Sequence, residues 1–215
     1  MRHILTALSL ALIAATAGAA PFQNGSFESG TLANTGSFDS LSAGSTAITG
    51  WTVTGDGVDY MDTYWAAANG TRSIDMLSCG TAGGVQQTFD TLPGAIYQVT
   101  FSLAGNPDGG IKTITASAAA STANFTFDTA GATTSSMNYA SQSFTFTATS
   151  TSTTLALSGG ILGGGSSCAG PVLDNVGVSV LVAPSTPIPV GGAFGGFALL
   201  AAFGAYALRR RAKQS

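Results

Sequence analysis

Charged side chains are scarce in this chain: its 215 residues include 7 Lys and Arg and 10 Asp and Glu, or 8%. An ordinary soluble domain has roughly 25%. All ten acids lie in the interior of the chain, whereas five of the seven bases lie near its ends, as Arg2, Arg209, Arg210, Arg211 and Lys213. The interior keeps Arg72 and Lys112 as its two bases against ten acids, so its net charge is −8. Such a segment cannot neutralise a row of phosphates, which excludes a nucleic-acid partner.

Histidine is scarcer still, because the chain has one, His3. It lies in a segment with the charged, apolar and small-residue order of a secretory signal peptide, in which the apolar run covers 4–15. We expect residues 1–19 to be removed after Ala19; an N-terminal membrane anchor is the alternative. Without His3 the exported chain has no imidazole for a Ser-His-Asp or Cys-His arrangement or for a metal. Among enzymes, this leaves glycosidases or lyases that use paired carboxylates.

An uncharged stretch at 191–208 lies near the other end of the chain. As an α-helix it would be about 27 Å long, close to the thickness of a bilayer's hydrocarbon core. The basic tail 209–215 favours the cytoplasmic side, which places the preceding part of the chain outside. We therefore predict a C-terminal transmembrane helix, preceded at 183–190 by an extended proline-rich spacer.

The segment between these ends, 20–182, lacks a helical pattern and is rich in Gly, Ser and Thr. Apolar and polar residues alternate instead, most clearly over 97–103, as expected of half-buried strands. Further strand patterns occur at 51–54, 73–77, 85–89, 125–127, 144–148, 155–157 and 176–182. Turn clusters rich in Gly and Asn separate them. The pattern predicts one all-β domain, an antiparallel β-sandwich of about ten strands and of the jelly-roll type.

The chain has two cysteines, Cys79 and Cys168, both in Gly- and Ser-rich loops of this domain. In an exported protein a disulfide between them is the simplest interpretation. The alternatives are two free thiols or a metal site, and the metal site would have only two ligands.

An acidic and aromatic cluster lies just after the first predicted strand. A flat apolar ring beside hydrogen-bonding carboxylates is how proteins usually hold the CH face and the hydroxyls of a sugar. We therefore predict a ligand-binding site formed by Asp59, Tyr60, Asp62, Tyr64 and Trp65. The alternatives for the aspartates are a solvated loop or strand edge, and a catalytic role.

Two further carboxylates lie near the ends of the domain, Glu28 in Asn-Gly-Ser-Phe-Glu and Asp174 in Leu-Asp-Asn-Val. Carboxylates on the first and last strands of a sandwich suit a hard ion such as Ca²⁺. The two motifs resemble those of galactose-binding-like jelly rolls and many carbohydrate-binding modules. That resemblance implies that Glu28 and Asp174 are ligands of one structural Ca²⁺. The alternative is that both carboxylates accept hydrogen bonds from the backbone amides of loops.

An ordered set of short motifs covers nearly all of 22–180. The motifs lie at 50–53, 58–60, 64–65, 69–76, 84–89, 93–97 and 103–107. Together they resemble the choice-of-anchor C family of bacterial surface proteins, which are similar to plant cell-wall proteins with the domain of unknown function 642. The resemblance implies an exported jelly-roll domain associated with polysaccharide or cell wall, without a set of catalytic residues.

The C-terminal segments resemble the PEP-CTERM class of bacterial sorting signals, in its Val-Pro-Leu-Pro-Ala variant. The matching residues belong to a short proline motif and a terminal basic cluster, and they are Pro187, Pro189, Arg209, Arg210 and Arg211. The resemblance implies an exosortase-type membrane protease as a partner and a location in the cell envelope. A plain single-pass anchor is the alternative.

The sequence thus predicts an exported, surface-anchored and non-catalytic protein that binds cell-envelope or matrix polysaccharide. Its surface should consist mostly of Ser, Thr, Gly and Asn, which suits a neutral polysaccharide or a cation and suits polyanions poorly. A glycan-active hydrolase or lyase and a purely structural matrix component are the alternatives.

Overall fold

A computed structural model gives the fold and describes residues 20–163 and 166–184. Within these ranges no helix is long and apolar enough to cross a membrane. Four of the predicted segments lie outside the described residues: the signal peptide 1–19, the proline motif with Pro187 and Pro189, the transmembrane helix 191–208 and the tail 209–215.

The described residues form eleven β-strands. They are β1 (Phe38–Leu41), β2 (Thr52–Gly55), β3 (Val58–Asp62), β4 (Arg72–Asp75), β5 (Gly83–Asp90), β6 (Ile96–Gly105), β7 (Ile111–Ala118), β8 (Ser121–Asp128), β9 (Ala140–Thr147), β10 (Ser152–Gly163) and β11 (Pro171–Val182). Six of them form one sheet in the order β1-β3-β4-β11-β6-β9, and five form a second sheet in the order β2-β5-β10-β7-β8. All pairings within both sheets are antiparallel.

The main core lies between the two sheets and consists of inward-facing apolar side chains. The apolar members of the alternating pattern in β6, from Tyr97 to Leu103, are all buried there. Aromatic rings of the two sheets pack against each other across the core, such as Phe101 of β6 against Phe125 of β8 and Phe146 of β9 against Phe89 of β5, with centroid distances of 5.1 and 6.5 Å. Burial of one Phe ring contributes roughly 1.5–3 kcal/mol, so these contacts hold the sheets face to face.

The predicted all-β sandwich is confirmed, and each segment with an alternating pattern contributes to a strand. The strands β1, β3 and β7 were not predicted. The most consequential of these is β3, because it runs through the acidic cluster and lies in the interior of the six-stranded sheet.

The loop 166–170 at one end of the sandwich is held by a disulfide and by a buried carboxylate. The predicted disulfide between Cys79 and Cys168 is confirmed. Asp75, at the end of β4, accepts hydrogen bonds from Gly170 N at 2.9 Å and Asn106 Nδ2 at 2.9 Å. Asp75 is fully buried, and this burial raises its pKa to about 7.

Strand β5 begins where three backbone segments approach closely, at Gly83. A Cβ atom there would lie 1.9 Å from Gly57 O and 2.2 Å from Met76 O. Both obstructing atoms belong to the backbone, so neither can rotate away as a side chain could.

We expect Gly83→Ala to lower the free energy of unfolding by about 1–3 kcal/mol, because the added methyl group forces two backbone segments apart. Urea unfolding measures the change. Ser121→Ala, at the start of β8, is the control and should stay within about 0.5 kcal/mol of the unmodified chain. An unchanged midpoint for Gly83→Ala would contradict the close approach.

Candidate functional site

The outer face of the six-stranded sheet has a covered half and an open half. Two loops, 63–71 and 129–139, lie over the covered half and are joined by a hydrogen bond from Ala66 N to Thr134 O at 2.8 Å. The open half begins at Ser102. This residue faces outward on β6, two positions before the buried Ala104. A second apolar cluster, separate from the main core, fills the space under the loops, and its buried members are Met61, Trp65, Ala104, Met137 and Val172.

Asp174 of β11 holds the first of these loops against the sheet. Its Oδ2 atom accepts hydrogen bonds from Ala68 N at 2.7 Å and from Asn69 N at 2.8 Å. The side chain is fully buried, and burial raises its pKa to about 6, against the opposite effect of the amide hydrogen bonds. These two hydrogen bonds fix the position of loop 63–71 beside the open half of the face.

Glu28 holds the same loop two residues further along. Its Oε1 atom accepts hydrogen bonds from Thr71 N at 3.0 Å and Arg72 N at 2.8 Å. Hydrogen bonds to an ionised acceptor are roughly twice as strong as neutral ones. Glu28 and Asp174 thus have the loop-anchoring role that the sequence left open as the alternative to calcium.

The same geometry bears on the predicted Ca²⁺. This ion takes 6–8 oxygen ligands, whereas the oxygens of Glu28 and Asp174 face amide hydrogens. Across the part of the chain that the structure describes, no group of three or more His, Cys, Asp or Glu could hold a metal ion. The two carboxylates do not fit a calcium shell in this arrangement, and calcium binding stays a prediction.

Three of the five residues predicted to bind a sugar are buried. Asp59 is 5% exposed and Trp65 is 4% exposed, and Tyr60 lies in the main core. Ser40 Oγ donates to Asp59 Oδ1 at 2.6 Å, and Trp65 Nε1 donates to Ser73 Oγ at 2.8 Å. Because these side chains are enclosed by protein, the ligand site predicted at this cluster is corrected: none of the three offers a surface to a sugar.

Tyr60 instead belongs to a structural network with Arg72. Arg72 Nη1 donates to Tyr60 Oη at 2.7 Å and to Gly30 O at 3.2 Å, and the guanidinium carbon lies 5.2 Å from the Tyr60 ring centroid. Burial raises the pKa of Tyr60. The network therefore attaches the segment around Gly30, which precedes β1, to β3 and β4.

The other two predicted residues lie nearer the surface. Asp62 is half-buried, and its Oδ2 atom accepts a hydrogen bond from Gly36 N at 2.8 Å. Tyr64 is 49% exposed and packs edge-on against Phe38, with ring centroids 5.7 Å apart. Tyr64 is thus the one predicted aromatic residue with a free surface.

A groove occupies the open half of the outer face, across β11, β6 and β9. Its volume is about 320 Å³, at the small end of the range for ligand sites, roughly 300–1,000 Å³. All of its lining residues are uncharged, and they are Gln98, Thr100, Phe101, Ser102, Ser141, Gln142, Ser143 and Asn175. The groove therefore presents hydroxyl and amide groups, which can both donate and accept hydrogen bonds.

A β-bulge in β11 shapes one side of this groove. Asp174 pairs with Ser102 and Gly177 pairs with Thr100, so β11 has one extra residue between these positions. Asn175 adopts a φ of 51° at the bulge and is exposed, beside the groove. Gly177 keeps the floor open, because a Cβ atom there would lie 2.9 Å from Thr100 Oγ1.

The sequence contained a partial signal for this groove. Gln98, Thr100 and Ser102 are the polar members of the alternating pattern in β6, and such residues face solvent. The strand neighbours that complete the groove lie far away in sequence, such as Ser143 in β9 and Asn175 in β11. Alternation identifies an outward face but does not identify the strands beside it.

The fold and the groove define an antiparallel β-sandwich with an open polar face on one sheet. The model of the family described as "Protein of unknown function (DUF642)" matches residues 20–179, and the chain belongs to this family. Halomucin of Haloquadratum walsbyi is 39% identical over 87 residues, a match that covers 39% of this chain and 1% of halomucin. The match thus involves a very small part of that protein.

Solved structures with a similar fold include several carbohydrate-binding modules. CBM61, solved in complex with β-1,4-galactotriose, has 16% identity and a TM-score of 0.47, over 74% of this chain and 97% of that chain. CBM35 from Paenibacillus barcinonensis has 17% identity and a TM-score of 0.42, over 66% of this chain and 98% of that chain. The tandem CBM22 domain of Xyn10C from the same organism has 14% identity and a TM-score of 0.45, over 75% and 50%.

Proposed function

We propose that the protein is a non-catalytic polysaccharide-binding protein and that the groove on the six-stranded sheet holds a neutral glycan chain. The uncharged lining of the groove is the observation that carries this proposal. Hydroxyl and amide side chains can exchange donors and acceptors with the hydroxyls of a sugar. A polyanion would find no cation in this lining, and its own charge would lose hydration without compensation.

The position of the acidic residues supports binding over catalysis. Glycosidases that use paired carboxylates need two of them across a cleft, about 5–10 Å apart. Asp59 is buried and bonded to Ser40, and Asp62 is bonded to the backbone of Gly36. Asp59 and Asp62, the candidates for a catalytic role in the sequence, thus accept hydrogen bonds from neighbouring parts of the fold.

Affinity electrophoresis of the full chain through gels containing galactan, xylan, dextran or alginate tests the proposal. We expect retardation by at least one of the three neutral polymers and none by anionic alginate. Parallel gels with Ca²⁺ and with a chelator test the calcium prediction. Unaltered mobility in every gel would overturn the proposed function.

Removal of two hydroxyls from the groove should weaken binding. Thr100→Val with Ser102→Ala is expected to raise the dissociation constant about tenfold, because each lost hydrogen bond contributes roughly 0.5–1.5 kcal/mol. Thr52→Val with Ser42→Ala removes the same two groups outside the groove and should bind as the unmodified chain does. Equal affinity of the two double variants would place the glycan elsewhere.

We further propose export and anchoring in the cell envelope, as in the choice-of-anchor C family. The support is the order of the predicted signal peptide, proline motif, apolar stretch and arginines. An exosortase-type protease would act at the motif with Pro187 and Pro189. Mass spectrometry of the protein released from the producing cells tests this: we expect a chain that begins at Ala20 and lacks Arg209–Arg211. Recovery of a chain that retains both ends would contradict it.

A further inference from the structure

The outer face of the five-stranded sheet carries a regular array of hydroxyl groups. The outward residues of β7 and β8 pair as Thr113 with Thr126, Thr115 with Asn124 and Ser117 with Thr122. Neighbouring strands are about 4.8 Å apart and alternate residues along a strand about 6.7 Å apart. Hydroxyl and amide groups thus form a two-dimensional lattice on this face, which we call the hydroxyl array.

The array continues onto the next two strands. Ser158 of β10 pairs with Thr115, and Thr154 of β10 pairs with Thr88 of β5. The two threonine hydroxyls of the second pair lie 2.7 Å apart. Charged side chains lie at the margins, where Asp128 ends β8 and Asp90 ends β5, so the interior of the array is neutral.

A hollow in the array has the chemistry of a sugar site. Its volume is about 360 Å³, and one of its walls is Leu162, which is 67% exposed. Thr115 Oγ1 donates to Asn124 Oδ1 at 2.8 Å, which orients the Asn124 amide and leaves its NH₂ group as a donor. An apolar wall beside oriented polar groups suits the CH face and the hydroxyl edge of a pyranose ring. The complete lining is Thr113, Thr115, Asn124, Phe125, Thr126 and Leu162.

The hollow and the groove lie on different sheets. The groove is on the outer face of the six-stranded sheet, and the hollow is on the outer face of the five-stranded sheet. Because the core separates the two sheets, these outer faces point in opposite directions. A stretch of glycan that lies along one face does not reach the other, so two occupied sites hold two separate stretches of glycan.

We propose that the hollow is a second binding site for a neutral polysaccharide, so that one domain bridges two glycan chains. The inference rests on the proposed function of the groove and extends it. A bridging domain cross-links a polysaccharide matrix without a second protein subunit. A domain with one site binds one stretch of polymer and links it to nothing else.

A bridging assay with the full chain tests this. The protein is applied to galactan-coated or xylan-coated beads, washed, and exposed to the same polymer carrying a fluorescent label. We expect the unmodified chain, monomeric by light scattering, to capture the labelled polymer. Thr113→Val with Thr126→Val should lower capture at least tenfold while retention on the beads falls no more than threefold. Thr52→Val with Thr122→Val, on the same face but outside the hollow, should capture normally.

The possible failures separate the two proposals. Normal capture by the Thr113/Thr126 variant would overturn the second site and leave the groove intact. Complete loss of retention on Thr100→Val with Ser102→Ala would also overturn it, because a working second site would still hold the protein on the beads. Loss of all retention in the Thr113/Thr126 variant would overturn bridging and the groove together. Failure of the unmodified chain to bind either polymer would overturn both proposals.

Discussion

Removal of the Cys79–Cys168 disulfide should lower the free energy of unfolding by about 4–5 kcal/mol. The two cysteines are 89 residues apart, so the bond restricts a long loop in the unfolded chain. Native proteins have a stability of only about 5–15 kcal/mol. The reduced protein should therefore be close to unfolding at moderate temperature.

Urea unfolding with and without reductant measures this effect, and Cys79→Ala with Cys168→Ala should reproduce it. Reductant should have no further effect on the double variant, which makes that variant its own control. A change below about 1 kcal/mol in both experiments would contradict the prediction.

The second large effect is a fall in stability between about pH 4 and pH 7. Burial raises the pKa of Asp75 to about 7 and that of Asp174 to about 6, from an ordinary value of 3.8. Over this interval the unfolded chain releases two protons that the folded chain retains. The free energy of unfolding therefore decreases as the pH rises, by at most about 1.4 kcal/mol per pH unit for each carboxyl.

Thermal unfolding between pH 4 and pH 8 measures this dependence. In Asp75→Asn the side chain is neutral at every pH, so the decrease between pH 6 and pH 7 should shrink to the smaller part that Asp174 contributes. Asn106→Ala is the matched control: it removes a hydrogen bond to Asp75 at 2.9 Å but keeps the titrating carboxyl, so it should lower stability and retain the pH dependence. A profile for Asp75→Asn that parallels the unmodified chain would contradict the assignment.

The strands were predictable where one face of the strand is exposed to solvent and the other packs in the core. In β6, the apolar residues of the alternating pattern are buried and Gln98, Thr100 and Ser102 are not, because period-two alternation matches the geometry of a half-buried strand. The disulfide was predictable for a different reason. With two cysteines in a domain that the sequence predicts to be exported, one pairing exists.

The acidic cluster shows where sequence reasoning failed. The aspartates Asp56, Asp59 and Asp62 lie within seven residues, a pattern typical of a solvated loop or strand edge, yet Val58–Asp62 forms a strand in the interior of a sheet. Asp59 tolerates burial because Ser40, paired opposite it on β1, donates a hydrogen bond at 2.6 Å. A donor supplied by another strand cannot be seen in the local pattern.

Lys112 shows the same limitation for the bases. The sequence places it among polar and β-branched residues, where a lysine is ordinarily solvated. In the structure its side chain is fully buried, its Nζ atom donates to Ala169 O, and burial lowers its pKa. The surface of the described domain is therefore even poorer in cations than the composition indicates.

By itself, the sequence determined the all-β class, the pairing of the two cysteines and the uncharged, hydroxyl-rich character of the surface. These follow from composition and from local periodicity, which depend on residues close together in the chain. The tertiary structure alone decided which polar residues share a face. It buried Asp59, Tyr60 and Trp65, turned Glu28 and Asp174 toward loop amides, and opened a groove elsewhere on the same sheet. The reason is physical: a groove is made by strands that are neighbours in space and distant in sequence, and their pairing register is set by the packing of the whole core.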